Sequence, residues 1–177
     1  MRMLWVSIVF GAVAQSACSQ GSLDSTEPLE QKVRAAYLKA IAGIDAPPIT
    51  ADTVLAGLQA DRFILVDVRE DAERAISQIP GALSPGEFAQ AYTLSGPPQG
   101  KTVVAYCTIG YRSGKFAEKL IAQGIPVLNM EGGILAWAGH HGPLVHHDAT
   151  GVTAPTTQVH VYGKEWNLLP TGYQSVW

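Results

Sequence analysis

Cys107 stands at the end of an apolar run, Thr102-Val-Val-Ala-Tyr106, and Arg112 follows five residues later. Between them, Thr108, Ile109, Gly110 and Tyr111 make a short loop that feeds a helix predicted from Ser113 to Gln123 and closed at Gly124. Ligands of open α/β sheets gather at the carboxyl ends of the strands, where this thiol lies. A loop of this length turns backbone N–H groups inward, and the following helix adds its positive dipole end. Such a setting favours an anion and stabilises a thiolate, which makes Cys107 the candidate nucleophile. Gly110 gives the loop its backbone freedom, and Arg112 can bond loop carbonyls or a bound anion. A buried core cysteine at a strand end is the plainer reading, but it leaves Gly110 and Arg112 unexplained.

The elements that position this loop are legible around it. Phe63–Val68, Thr102–Tyr106 and Pro126–Met130 are short apolar runs of the kind buried on both faces of a parallel sheet. Helices are predicted near 70–77, 85–93 and 113–123, with Ser84 and Glu87 as a capping box. The alternation predicts an α/β fold, an open parallel sheet flanked by helices on both faces. Ahead of it, Leu29, Val33, Tyr37, Ile41 and Ile44 recur at helical spacing, and the Pro47-Pro48 pair breaks that helix. Thr50 is then expected to cap a short helix carrying Val54, Leu55 and Leu58. Behind the sheet, Gln158–Tyr162 alternates at period two and predicts an added strand.

Composition excludes several classes. Twelve Lys and Arg against fifteen Asp and Glu give a net charge of −3, with no cation excess to neutralise a phosphate backbone, so nucleic acid is not an expected partner. Two cysteines, Cys18 and Cys107, are too few for a disulfide scaffold. Arg2, the twelve-residue apolar run 3–14 and the small residues after it read as an export signal, too short to span a bilayer of about 20 helical residues. Gln15-Ser16-Ala17 before Cys18 is similar to a bacterial lipoprotein box, so Cys18 is a candidate lipid anchor, with soluble export the alternative. The expected divisions are a signal peptide over 1–17, a linker and amphipathic helix over 18–48, a central domain over 49–145, and an extension over 146–177 docked on the core. The mature protein is expected outside the cytoplasm, periplasmic or membrane-anchored, and monomeric. His140, His141, His146, His147 and Asp148 cluster within nine residues but fit no standard metal spacing, so neither a metal nor another cofactor is expected.

Four ordered motifs resemble the rhodanese family of sulfurtransferase domains over about residues 49–145. They are Asp67-Val68-Arg69 with Glu73, Ile79-Pro80-Gly81-Ala82, the Cys107–Arg112 loop, and Glu131-Gly132-Gly133-Ile134-Leu135-Ala136-Trp137. Ser77-Gln78 replaces the Gly-His pair that usually precedes the Ile-Pro-Gly-Ala turn. The resemblance implies that the Cys107 thiolate takes the sulfane sulfur of thiosulfate or a related small anion, holds it as a persulfide, and passes it to cyanide or a thiol. It also implies catalytic roles for Arg112, Asp67 and Arg69, the latter two bracing the loop from the neighbouring strand, and donor binding by residues Thr108, Ile109, Gly110, Tyr111, Arg112 and Ser113. Two rivals stand beside it. A non-catalytic module of the same fold could display the loop to a protein partner. A phosphatase or arsenate reductase of this fold normally has five residues between Cys and Arg, and here there are four. Because Thr108, Ile109 and Tyr111 bring no charge, thiosulfate is expected to bind less well than a bulkier or less charged donor.

Overall fold

The computed structural model describes residues 27–92, 96–148, 150 and 152–177. The export signal and Cys18 lie outside the described residues. Four strands form a parallel sheet in the order β1-β4-β3-β2: β1 Pro48–Ile49, β2 Phe63–Asp67, β3 Thr102–Tyr106 and β4 Val127–Met130. The helices are α1 Glu27–Ala40, α2 Ala51–Leu58, α3 Asp71–Ile76, α4 Pro85–Tyr92, α5 Tyr111–Ile121 and α6 Gly133–Gly139.

Each central strand is apolar on both faces because each face has its own cover. Leu65, Val104, Tyr106 and Met130 point into one cluster with Val33 and Tyr37 of α1, Val54 of α2, and Ile134, Leu135 and Trp137 of α6. Ile64, Val66, Val103, Ala105 and Val127 point the other way, onto Phe88 of α4 and Phe116, Ala117 and Leu120 of α5. Alternation within a run that looks uniformly apolar is what parallel pairing with helices on both sides requires.

Three local details differ from the expectations. The Pro47-Pro48 pair, read only as a breaker, opens the edge strand β1. Prolines are tolerated there because β1 is needed as acceptor: Asn129 N–H donates to the Pro47 carbonyl at 2.8 Å and Glu131 N–H to Ile49 at 2.9 Å. Thr50 does precede α2, but its hydroxyl meets Thr53 Oγ1 at 2.8 Å and makes no cap bond. At α3, Glu70 and Glu73 form a capping box in which the Glu70 N–H donates to Glu73 Oε2 at 2.9 Å, while the predicted Ser84–Glu87 box is present at α4.

Beyond α6 the chain makes β5 Val145–His147 antiparallel to β6 Thr153–Pro155, then β7 Gln158–His160 parallel to β8 Gln174–Val176. Val159 and Val161 are fully buried, as the period-two pattern requires. β7 lies against α3, while Trp166, Leu168, Leu169 and Tyr173 pack on the cluster that contains Val33 and Tyr37 of α1. Gln78, the departure from the family pattern, ties the same region together. Its amide nitrogen donates to the Ala82 carbonyl at 2.8 Å, its oxygen meets His147 Nε2 at 3.1 Å, and its backbone pairs with Val145.

Candidate active site

Cys107 follows β3 directly and is 1% exposed, at the floor of a cleft of about 670 Å³. The Gly110 N–H donates to Cys107 Sγ at 3.1 Å. That bond needs Gly110 at φ 120°, and a side chain there would run into the Tyr37 ring. Helix α5 begins at Tyr111, two residues earlier than the pattern suggested. Arg112 and Ser113 therefore lie in its first turn, where amides have no intrahelical partner. Among the described residues, the amides of Thr108, Ile109 and Arg112 donate to no backbone carbonyl, so they remain as donors toward an anion at the helix N-terminus.

The loop's carbonyls are drawn the other way. Ile134 N–H donates to the Cys107 carbonyl at 2.9 Å and Leu135 N–H to Thr108 at 3.4 Å, so the first turn of α6 takes the oxygens that would otherwise face an anion. Gly133, at φ 52°, lies so close that a Cβ would collide with the Cys107 carbonyl. Gly133 thus has a steric reason, since it lets α6 dock end-on against the nucleophile loop, while a Cβ at Gly132 would run into Val33 of α1 and Ala136.

Ser113 and Asn129 support the loop from below. The Ser113 hydroxyl donates to Asn129 Oδ1 at 2.7 Å and lies 3.6 Å from Cys107 Sγ, while Asn129 Nδ2 donates to the Gly110 carbonyl at 3.0 Å. With a single proton, the hydroxyl serves the amide or the sulfur, not both. Tyr37 of α1 packs over this group. Burial and the nearby Glu131 carboxylate push its phenol up to about 12 against a smaller opposing pull from Asn129, so it stays neutral at physiological pH. Asn129 was not among the expected site residues, although a buried amide inside the apolar run 126–130 is a sequence signal.

Arg112 is not a free cation. Its guanidinium is bidentate on Glu73, at 2.6 and 2.8 Å, and reaches Thr108 Oγ1 at 3.3 Å. Burial pushes the Glu73 carboxyl up, but the Arg112 hydrogen bond, the Glu70 amide and the charges of Arg112 and Arg69 outweigh it, and the net shift is downward. His160 Nδ1 comes within 3.6 Å of the same carboxylate. Asp67 and Arg69, expected to brace the loop, form a fully buried ion pair: Arg69 Nη2 lies 2.7 Å from Asp67 Oδ2 and also donates to the Ser77 carbonyl, and its guanidinium sits 5.8 Å from the Tyr106 ring centre. Neither hydrogen-bonds the loop. Through Ser77, the residue that ends α3, the pair holds the C-terminal end of that helix, and Glu73 on the same helix is the group that reaches across to Arg112. Of the expected site residues, the structure brings Cys107, Thr108, Ile109, Gly110, Tyr111, Arg112 and Ser113 together and leaves Asp67 and Arg69 beneath them.

Comparison with known proteins places this arrangement. The model of the rhodanese-like domain matches residues 50–140. A sulfurtransferase of Allochromatium vinosum is 42% identical over 83 residues, covering 46% of this chain and 78% of that protein. A tRNA uridine(34) hydroxylase of Synechococcus elongatus is 34% identical over 99 residues, 51% of this chain but 36% of that protein. Among solved structures, the thiosulfate sulfurtransferase of Pseudomonas aeruginosa superposes with a TM-score of 0.54 at 25% identity, over 67% of this chain and 24% of that one.

Proposed function

Because the chain belongs to the rhodanese-like domain family, we propose that it is a sulfurtransferase that carries a sulfane sulfur as a persulfide on Cys107. The observation that carries this reading is the Gly110 N–H held 3.1 Å from Cys107 Sγ, in a loop where the amides of Thr108, Ile109 and Arg112 donate to no backbone carbonyl among the described residues. In the first half-reaction the Cys107 thiolate attacks the outer sulfur of thiosulfate. A Cys–S–S⁻ group forms, the S–S bond of the donor breaks, and sulfite leaves with the bonding pair. In the second, cyanide or a thiolate attacks the outer persulfide sulfur, takes it as thiocyanate or a new persulfide, and returns Cys107 as thiolate. The terminal sulfur carries the negative charge between the two steps, and the loop amides are fixed donors for it, as an oxyanion hole is for oxygen. Arg112, bidentate on Glu73 and bonded to Thr108, holds the loop in shape and places its charge beside Cys107.

Initial rates with thiosulfate and cyanide varied against each other test this. A double-displacement scheme gives parallel double-reciprocal lines that vanish in Cys107→Ser. Intersecting lines, or activity that survives the substitution, would exclude a covalent carrier at Cys107.

A further inference from the structure

The cleft above Cys107 is walled by two segments that lie outside the matched residues 50–140: Ala36 and Ala40 of α1 on one side, Tyr162, Trp166 and Leu168 of the C-terminal segment on the other. The charged side chains on its rim, Lys39 and Glu165, are of opposite sign, and Arg112 below them is paired with Glu73. The site therefore offers an inorganic dianion little compensation for its second charge, and it offers carbon much more.

Tyr162 stands out on this wall. Its side chain is 66% exposed although its neighbour Val161 is fully buried. Its backbone is left-handed at φ 69°, a conformation that disfavours a bulky side chain, and its N–H is held by His160 Nδ1 at 3.3 Å. The ring lies with its centre 5.6 Å from the Arg112 guanidinium carbon. Tyr111, 51% exposed, lines the same cleft. An aromatic ring kept in solvent at the cost of backbone strain, over the residue that closes the nucleophile loop, has a packing surface to offer a ligand rather than to the core.

Resting on the sulfur-carrier reading of Cys107, we propose that Tyr162, with Trp166 behind it, is the specificity-determining wall of the cleft and that the preferred donor is an organic thiosulfonate, R–SO₂–S⁻, with an aromatic or other flat apolar R group. The monoanionic sulfur reaches the loop amides and R lies against Tyr162. Cys107–S⁻ attacks the outer sulfur, Cys107–S–S⁻ forms, and the sulfinate R–SO₂⁻ leaves with the bonding pair, so atoms and charge balance without an added oxidant or reductant.

The test compares benzenethiosulfonate, methanethiosulfonate and thiosulfate on wild type, Tyr162→Gly and Tyr162→Phe, with cyanide as acceptor. In wild type kcat/KM is expected to be at least tenfold higher for benzenethiosulfonate than for methanethiosulfonate. Tyr162→Gly should lose most of that preference through KM, with a smaller loss on thiosulfate than on benzenethiosulfonate, and melt no lower than wild type because glycine relieves the left-handed strain. Tyr162→Phe should keep the preference. Equal losses on all three donors, or an intact preference in Tyr162→Gly, overturns the assignment of Tyr162. Absence of transfer from every donor in wild type overturns the carrier reading beneath it, and the two failures are distinguishable.

Discussion

The nucleophile and its clasp differ in what they contribute. Replacing Cys107 by Ser substitutes a smaller, less polarisable atom in a site already folded around it, so turnover is expected to fall below about 1% of wild type while the melting temperature changes little. The Glu73–Arg112 pair is different because its members lie on α3 and α5 and join two elements. Arg112→Ala leaves a 5%-exposed carboxylate without its main partner and should cost about 2–3 kcal/mol as well as activity, measured by urea unfolding. The acid dependence follows from sign. Glu73 is depressed below its unfolded carboxylate value, so its stabilisation is fully present above about pH 4.5 and is lost as pH falls through the folded value. The stability gap between wild type and Glu73→Gln should hold constant near neutrality and shrink below about pH 4. A gap that widens with acid would mean that the carboxylate is not held in its charged form. Both residues stand in the sequence motifs, but their pairing was not assignable from spacing, since they are 39 residues apart and lie on different elements.

At the level of elements, the loop owes its shape to the helices at its two ends. The α6 amides and the Asn129 side chain take the carbonyls of Cys107, Thr108 and Gly110, while the amides of Thr108, Ile109 and Arg112 donate to no backbone carbonyl among the described residues, so the same short loop keeps donors for an anion. Gly133→Ala would press a methyl group into the Cys107 carbonyl and place alanine at φ 52°. It should destabilise the fold by about 2–3 kcal/mol and depress turnover further than that loss alone explains, by moving the α6 amides off the loop. Turnover unchanged at a temperature where the variant is fully folded would show that α6 does not shape the site. The central strands were legible because runs such as Phe63-Ile-Leu-Val are short, apolar and bounded, which double-sided burial produces. The edge strand β1 was not, because its prolines forbid donation and only the pairing partner reveals that acceptance suffices. Asn129 was passed over although its position inside β4 marked it, since one polar residue in an apolar run has no meaning until the Gly110 carbonyl is seen above it.

For the whole molecule, the two segments flanking the matched domain become neighbours. Helix α1 places Tyr37 on Gly110, and the C-terminal segment inserts Val159 and Val161 beside the same core. The apolar content of the tail announced that it would be covered. It did not say by what, because the receiving surface is made by α3 and by side chains from several elements. Removing residues 158–177 strips cover from that cluster, and burial of two valines with parts of Trp166, Leu168 and Leu169 corresponds to about 5 kcal/mol. The truncated protein is expected to melt well below the full chain, and equal melting temperatures would mean that the segment contributes nothing to the fold. For export, the expectation is a mature chain starting between Gln15 and Cys18 when the full sequence is expressed in a bacterium, read by intact mass; retention of Arg2 would rule it out.

The central assignment is sulfur carriage by Cys107, and intact mass spectrometry after a donor is added without an acceptor reads it directly. The protein should gain the mass of one sulfur atom, located on the peptide containing Cys107, and lose it when cyanide or a thiol is then supplied. An unchanged mass, or an adduct that persists in Cys107→Ser, would contradict it.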